Sequence, residues 1–345
     1  MAEKGSEACG LGIEFPFHKL PEGVFEDDVI YVTLQQSSVR LKQGRIVVSI
    51  EGTESASFPL EQVRCINIFG NVSVSTPLLH SCSENKMHVH YFTFYGKYLG
   101  SFEPVLNTIA MVRRRQCELD HVQQCAIASR MIRAKIRNCR TILSRKGIQG
   151  LDRLKILEST CEAASDLSVL RGIEGEAASL YFGYFDEILP DDWSFARRSR
   201  RPPADHFNSL LSLTYSLFLN EVISALRQYN LDPFIGVLHA DRHGKPSLAL
   251  DLLEEFRPIF CDAFSFRLVN KRMITHDDFL EDNHLNQAAF KRYLSYYDDY
   301  VKEVFTHPTF HYHVSRRKSI LLQVILLRKA IVGEMKLYHS LMFMR

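Results

Sequence analysis

The sequence predicts an α+β multidomain protein, in which a β-sandwich-like N-terminal domain precedes an all-α C-terminal catalytic domain. Short β-branched and aromatic runs fill the first part of the chain, and apolar residues recur at helical spacing over the rest. The 345 residues also exceed what a single core normally holds. We predict an irregular extension over 1–24, a β-rich dimerisation domain over 25–104 and a helical domain over 105–345.

Strand patterns and turn signals alternate through the predicted β-rich domain. The turn signals are Gln43-Gly44, Glu51-Gly52, Gly70-Asn71 and Gly96-Lys97. The strand patterns are Ile30-Tyr31-Val32-Thr33, Ile46-Val47-Val48-Ser49-Ile50, Cys65-Ile66-Asn67-Ile68-Phe69 and Val89-His90-Tyr91-Phe92-Thr93-Phe94. One short helix is predicted between them, from Thr76 to Asn85.

Beyond Glu103-Pro104 the apolar period becomes helical. A long helix is predicted from Ile109 to Lys146, ending before Gly147 and Gly150. Further helices are predicted at 151–168, 173–188, 205–229, 247–256, 284–306 and 315–338. Asp205 is the expected N-cap of the third of these.

Composition excludes several classes of protein. With 46% hydrophobic and 24% charged residues, the chain is neither disordered nor fibrous. No long uninterrupted apolar run and no secretory signal is evident, so we expect no membrane association. The eight cysteines form no C-x-x-C pair, which excludes a zinc ribbon and indicates reduced thiols in a cytoplasmic protein.

Basic residues are concentrated in the predicted long helix, although the net charge of the chain is only +2. Such a segment favours a polyanion-binding face, and a solvated helix face is the ordinary alternative. The candidate DNA-binding residues are Arg113, Arg114, Arg115, Arg130, Arg133, Lys135, Arg137, Arg200 and Arg201.

A few acids and one histidine stand in unusual settings, whereas phosphate-loop, dinucleotide, zinc-protease and esterase motifs are absent from the sequence. Glu174 lies between two glycines, where a helix start with dipole-stabilised acids is the plainer interpretation. His239 ends an apolar run, where a lone histidine is more often a packed, hydrogen-bonded residue than a ligand. Asp251 and Glu254 share one helix face, with either Arg257 or a divalent cation as their partner.

Several segments in fixed order resemble the family of CRISPR-associated spacer-acquisition integrases, the catalytic subunit of CRISPR adaptation in antiviral defence. The matching segments are Lys135-Ile136-Arg137-Asn138, Arg171-Gly172-Ile173-Glu174-Gly175, Arg200-Arg201-Pro202-Pro203-Ala204-Asp205 with Asn208-Ser209-Leu210-Leu211-Ser212, Gly236 with His239, Gly244-Lys245-Pro246-Ser247-Leu248-Ala249-Leu250-Asp251-Leu252-Leu253-Glu254, and Gln323, Gly333, Glu334 and Tyr338. The resemblance covers roughly residues 28 to 340. The sequence departs from the family at His206, where a proline is common, and at Glu254, where many relatives carry aspartate.

The resemblance implies a metal site and a reaction. Glu174, His239 and Glu254 would be the catalytic residues and would bind one Mn²⁺ or Mg²⁺ ion, with Asp251 as a nearby accessory carboxylate. The implied reaction is the transfer of a DNA 3′-hydroxyl onto a phosphodiester of the CRISPR repeat, or hydrolysis when water attacks.

Accessory residues and partners complete the predicted site and assembly. Lys245 is a candidate phosphate contact. Tyr181 and Asn208 are weaker candidates, for which a core aromatic and a helix-capping amide are the structural alternatives. The resemblance implies a homodimer that binds double-stranded DNA and a small ferredoxin-like CRISPR adaptation subunit. Two other functions stay open, a nuclease of branched DNA in repair and a non-catalytic DNA-binding scaffold.

Overall fold

In the computed structural model, an N-terminal β-rich region is followed by a largely helical C-terminal region, as predicted. The structure describes residues 28–104, 110–199, 203–240 and 242–343. The predicted extension over 1–24 and two of the predicted DNA-binding residues, Arg200 and Arg201, lie outside the described residues.

Two four-stranded sheets form the β-rich region. Their strands are β1 (Asp28–Val32), β2 (Ser38–Lys42), β3 (Arg45–Ile50), β4 (Thr53–Pro59), β5 (Val63–Phe69), β6 (Ser73–Val74), β7 (His88–Phe92) and β8 (Tyr98–Phe102). The first sheet has the order β1-β5-β7-β8 and the second β4-β3-β2-β6. Helix α1 (Thr76–Glu84) connects β6 to β7, where the sequence predicts a helix.

The two faces of the first sheet differ, because side chains alternate along each strand: one is apolar, and the other carries polar and aromatic side chains. Ile30, Ile66 and Val89 lie on the apolar face and form a core with the second sheet and α1. Asn67 and His90, which are paired across β5 and β7, lie on the opposite face, toward the helical region.

The helical region is built from ten helices within the described residues. They are α2 (Ala110–Cys117), α3 (His121–Arg145), α4 (Asp152–Thr160), α5 (Leu167–Gly183), α6 (Phe185–Ile188), α7 (His206–Gln228), α8 (Ser247–Phe256), α9 (Ala263–Asn270), α10 (Gln287–Lys302) and α11 (Arg316–Ile331). A π-helical segment, Arg257–Asp262, joins α8 to α9 without a break.

Several helix boundaries differ from the predicted ones. The long helix predicted over 109–146 is two helices, because Asp120 and Gln123 form a capping box that starts α3 afresh. Asp166 caps α5, so this helix starts earlier than the predicted residue 173. The pattern predicted over 284–306 ends in a strand, β9 (Val304–Thr306), which pairs with β10 (His313–Ser315) in a short hairpin. The last helix ends at Ile331, before Gly333 at φ +82°, and not at residue 338.

Helix α7 lies in the centre of the helical region. Its length and hydropathy would suffice for a membrane span, but 61% of its most apolar window is buried inside the protein. Phe207, Leu211 and Phe218 on this helix belong to the continuous core of the helical region. Phe69 and Phe92 of the first sheet join the same core, so the two regions pack directly on each other.

Candidate active site

Helix α3 brings two acids from separate helices to one point. Lys135 is 6% exposed, and its ammonium group makes ion pairs with Glu174 of α5 and with Glu254 of α8. Lys135 Nζ lies 2.6 Å from Glu254 Oε2, close enough for an ion pair although the pair is not aligned as a hydrogen bond. We call Lys135, Glu174, Glu254 and His239 the Lys135 cluster.

The charge of Glu254 is stabilised from several sides. Burial alone would raise the pKa of this carboxyl group, but Arg257, Lys135 and His239 outweigh burial and lower its pKa to about 2. Arg257 Nη2 lies 3.4 Å from Glu254 Oε1, one turn along the chain. Burial opposes the charge of Lys135, and the two glutamates outweigh it, so the pKa of the ammonium group is raised. Lys135 and Glu254 are therefore each stabilised in their ionised form.

Asp251 fixes the orientation of His239. One of its oxygens contacts His239 Nδ1 at 2.5 Å, and the carboxylate also accepts hydrogen bonds from the backbone N–H groups of Val237, Leu238 and His239. With Nδ1 committed to a carboxylate, Nε2 is the ring nitrogen left to bind a ligand. A side chain at Gly236 would place its Cβ 2.7 Å from the His239 carbonyl oxygen, so this close approach requires glycine.

The residues of the Lys135 cluster match a divalent cation in chemistry. Two carboxylates and one imidazole are suitable ligands for Mn²⁺ or Mg²⁺, and the ammonium of Lys135 already marks a cation position between the two acids. Among the described residues, no three His, Cys, Asp or Glu side chains are placed to hold a metal ion together. The structure thus brings two predicted ligands together and His239 near them, and the three-ligand set stays a prediction.

Glu174 lies inside α5 and not at a helix start. Because Asp166 caps this helix, the interpretation of Glu174 as an acid stabilised by the helix dipole is wrong. Gly172 and Gly175, which flank Glu174, have open space where a Cβ would lie. Glu174 itself keeps 29% of its side chain exposed, so the cluster is accessible from solvent.

The basic residues predicted to bind DNA are divided by the structure. Arg113 and Arg114 are exposed on α2. The others are half-buried or committed to acids: Arg115 to Glu118, Arg133 to Glu162, Arg137 to Glu158, and Lys135 to Glu174 and Glu254, while Arg130 is half-buried near His339. Lys135 is buried, so its prediction as a surface contact for DNA is wrong.

The weaker candidates have structural roles. Asn208 is fully buried, accepts hydrogen bonds from Arg198 and Ser199, and donates to Arg197 O and Asp205. Tyr181 is 2% exposed and donates to Asp262 Oδ2. Lys245 lies half-buried in the turn that precedes α8.

Sequence reasoning missed a second buried acid site beside the cluster. Asp262 accepts hydrogen bonds from Tyr181 and Tyr215, and burial raises its pKa to about 6. The guanidinium group of Arg257 lies over the ring of Tyr215, which links this site to Glu254. The i, i+3 spacing of Glu254 and Arg257 was the one signal of it in the sequence.

Glu255 faces away from the cluster and holds the C-terminal segment. Its Oε2 accepts hydrogen bonds from the backbone N–H of Leu341 and from Gln323, and burial raises its pKa to about 8. Asn138, three residues beyond Lys135, donates to the carbonyl oxygens of Glu255 and Leu341. The C-terminal segment is therefore fastened to the two helices that carry Lys135 and Glu254.

Comparisons with known proteins agree on one family. The family model described as CRISPR associated protein Cas1 matches residues 30–299. The chain is 54% identical over 328 residues to CRISPR-associated endonuclease Cas1 4 of Methanospirillum hungatei, covering 95% of this chain and 94% of that protein. It is 37% identical over 318 residues to CRISPR-associated endonuclease Cas1 3 of Thermus thermophilus, covering 90% and 96%. The structure of a CAS1 protein from Thermotoga maritima matches with a TM-score of 0.77 at 26% identity, covering 92% of this chain and 99% of that one.

Proposed function

Since this chain belongs to the CRISPR-associated protein Cas1 family, we propose that it is a metal-dependent DNA endonuclease and integrase of CRISPR adaptation. The similar proteins of Methanospirillum hungatei and Thermus thermophilus are named CRISPR-associated endonucleases. The observation that carries the proposal is the convergence of Glu174 and Glu254 on one ammonium group, beside an imidazole oriented by Asp251.

The proposed reaction joins a 3′-hydroxyl end of spacer DNA to the CRISPR repeat. A bond forms between the attacking 3′-oxygen and the phosphorus, and the bond from that phosphorus to the 3′-oxygen of the neighbouring nucleotide breaks. The proton lost by the attacking hydroxyl is balanced by the proton that the leaving oxygen gains. Water in place of the hydroxyl gives hydrolysis at the same site.

The residues of the Lys135 cluster have separate proposed roles. Glu174, Glu254 and Nε2 of His239 would hold the divalent cation, and Asp251 keeps Nδ1 of the imidazole occupied. Mn²⁺ or Mg²⁺ supplies Lewis-acid charge to the phosphate when bound. Lys135 keeps the two glutamates from repelling each other before the cation arrives.

We further propose that the chain acts as a homodimer with double-stranded DNA and a small ferredoxin-like CRISPR adaptation subunit. Dimerisation is assigned to the domain over 25–104 and catalysis to the domain over 105–345. Arg113 and Arg114 support contact with DNA, because both are exposed on α2 and their positive charges can bind phosphate groups. Helix α2 itself packs against α11.

A joining assay with Mn²⁺, a prespacer duplex and a repeat-bearing plasmid tests the proposal. Glu174→Ala should abolish joining. Glu176→Ala is the matched control, since Glu176 is exposed on the same helix and pairs with Arg153. Joining that persists in Glu174→Ala would refute the assignment. A preference for branched DNA over the repeat would instead favour a nuclease of DNA repair.

A non-catalytic DNA-binding scaffold is the second candidate function. The ion pairs of Lys135 with Glu174 and Glu254, and of Arg133 with Glu162, favour it, because they give these acids a purely structural role. A scaffold should gain no thermal stability from Mn²⁺ and should perform no strand transfer. The proposed enzyme should gain thermal stability from Mn²⁺ and should perform strand transfer.

A further inference from the structure

A cavity of about 430 Å³ lies between the helical region and the face of the first sheet that carries Asn67 and His90. We call it the His90 cavity. Strands β5 and β7 form one wall, and α7 with the start of α11 forms the other. Its volume falls in the range of pockets that bind small molecules. None of the residues of the Lys135 cluster lines it.

The inner wall carries three buried polar groups without partners in the described part of the chain. Both ring nitrogens of His90, Oδ1 of Asn220 and the hydroxyl of Tyr297 make no hydrogen bond there. These residues are 2%, 5% and 1% exposed, respectively. A buried polar group without a partner costs about 1–3 kcal/mol, so such groups usually meet a ligand or water.

The interior of the cavity has little net charge. Arg317 and Glu221 both line it, and Arg317 makes a bidentate contact with Glu221 and a further contact with Tyr31. Burial, and after it the charges of His88 and Arg227, lower the pKa of His90 to about 3, so its ring is neutral. The inner wall therefore offers neutral donors and acceptors.

The mouth of the cavity is cationic. Arg64 and Lys302 are exposed there, and Lys318 is half-buried. Of these, Lys302 also contacts Asp298 at 2.7 Å. Phe92 and Tyr31 add aromatic surface between the mouth and the inner wall. An anionic group at the mouth would be attracted by these side chains.

We propose that the His90 cavity binds a mononucleotide. The heterocyclic base lies against Phe92 and meets His90, Asn220 and Tyr297, whose mixed donors and acceptors match the edge of a base. The phosphate lies at the mouth, near Arg64 and Lys318. This combination distinguishes a nucleotide from a simple anion, which would use the mouth alone, and from a neutral polar molecule, which would use the inner wall alone.

Isothermal titration calorimetry of the full chain with deoxyadenosine monophosphate tests the proposal. We expect one site per chain. Ser224→Trp fills the cavity and should abolish binding, and Asn220→Leu removes the amide at nearly constant volume and should weaken it. Arg64→Ala should weaken binding roughly tenfold, the effect of losing one charge-assisted contact. Arg40→Ala, an exposed arginine of β2 that does not line the cavity, is the matched control and should bind like the wild type.

Two further sets of binding measurements distinguish this site from other nucleotide-binding surfaces. Glu174→Gln should bind the nucleotide as the wild type does, because Glu174 lies outside the cavity. Deoxyadenosine should bind more weakly than the nucleotide, and inorganic phosphate should not bind detectably. The proposal is overturned if the wild type binds no nucleotide, if Ser224→Trp and Asn220→Leu both melt like the wild type and still bind fully, if Glu174→Gln loses binding, or if phosphate binds as tightly as the nucleotide.

Discussion

The Lys135 cluster and the His90 cavity are both buried and polar, but they satisfy their polar groups in opposite ways. In the cluster, each charged group contacts a group of opposite sign, as Lys135 does with Glu174 and Glu254. In the cavity, neutral groups such as Asn220 Oδ1 stay unpaired among the described residues. Burying an unpaired ion costs far more than burying an unpaired amide or hydroxyl. A folded protein can therefore leave neutral polar groups unpaired until a ligand binds. Buried ions instead need a partner within the protein, which a ligand then has to replace.

Removing the central cation of the cluster should have the largest effect. Lys135→Met leaves two carboxylates without their buried partner and should lower the free energy of unfolding by about 3–5 kcal/mol. Mn²⁺ should restore part of this loss and should raise the melting temperature of the variant more than that of the wild type. Lys155→Met, at an exposed position of α4, is the control for urea unfolding with and without Mn²⁺. Equal stabilisation of both variants by Mn²⁺ would show that the ion binds elsewhere.

Glu255 differs from the acids of the Lys135 cluster, because it is a buried acid without a cationic partner in the described structure. Burial raises its pKa to about 8, so the folded protein holds its proton more tightly than the unfolded chain does. The stability that this proton contributes is present below the unfolded pKa of 4.5 and is lost as the pH rises through about 8.

Glu255→Gln should therefore remove part of the pH dependence of stability. We expect the wild type to lose on the order of a few kcal/mol of unfolding free energy between about pH 5 and about pH 8, and the variant to lose less. Urea unfolding at both pH values measures this, with the exposed Glu61→Gln as control. Parallel profiles for the wild type and Glu255→Gln would contradict the assignment.

Asp251→Asn should have an intermediate effect on the reaction. The amide cannot accept all the hydrogen bonds that the carboxylate receives from the His239 ring and three backbone N–H groups. We expect Mn²⁺ affinity and the joining rate to fall by about 10–100-fold, the usual cost of losing such a supporting carboxylate. Mn²⁺ titration followed by thermal melting measures the first quantity independently of the second. Unchanged Mn²⁺ affinity would mean that Asp251 supports only the fold.

The smallest effects are expected at the surface. Arg113→Ala and Arg114→Ala should each reduce the slope of log affinity for duplex DNA against log salt by about 1. Arg133→Ala should leave this slope unchanged, because Arg133 is paired with Glu162. Binding isotherms at several salt concentrations give the slopes. An equal reduction in all three variants would mean that the ion pair of Arg133 opens when DNA binds.

The sequence predicted the large-scale architecture well, because periodicity is a local property. The change from period 2 to period 3.6 separates the β-rich region from the helical one, and the predicted helix over 76–85 agrees with α1. The break between α2 and α3 was missed although Asp120 and Gln123 carry the spacing of a capping box. The apolar stripe continues across that break, so helical periodicity alone does not reveal the cap.

The site was less accessible to sequence reasoning. Periodicity alone could not bring Glu174 and Glu254 together, because their convergence depends on how α5 and α8 pack on α3. The arginine neighbours of Lys135 predict that it lies on the DNA-binding face. Tertiary packing instead buries its side chain in the interior. The His90 cavity left no motif, since its polar residues come from strands and helices far apart in the chain.

The π-helical segment Arg257–Asp262 sets the rotational phase between α8 and α9. Each residue of a regular α-helix rotates the next one by about 100°. Deleting a single residue here would make the turn a regular α-helical one and would leave Glu254 in place. Asp262 would then be rotated about the helix axis, away from Tyr181 and Tyr215. One extra residue in this wide turn thus lets one continuous helical segment place Glu254 against Lys135 and Asp262 against the hydroxyl groups of two tyrosines.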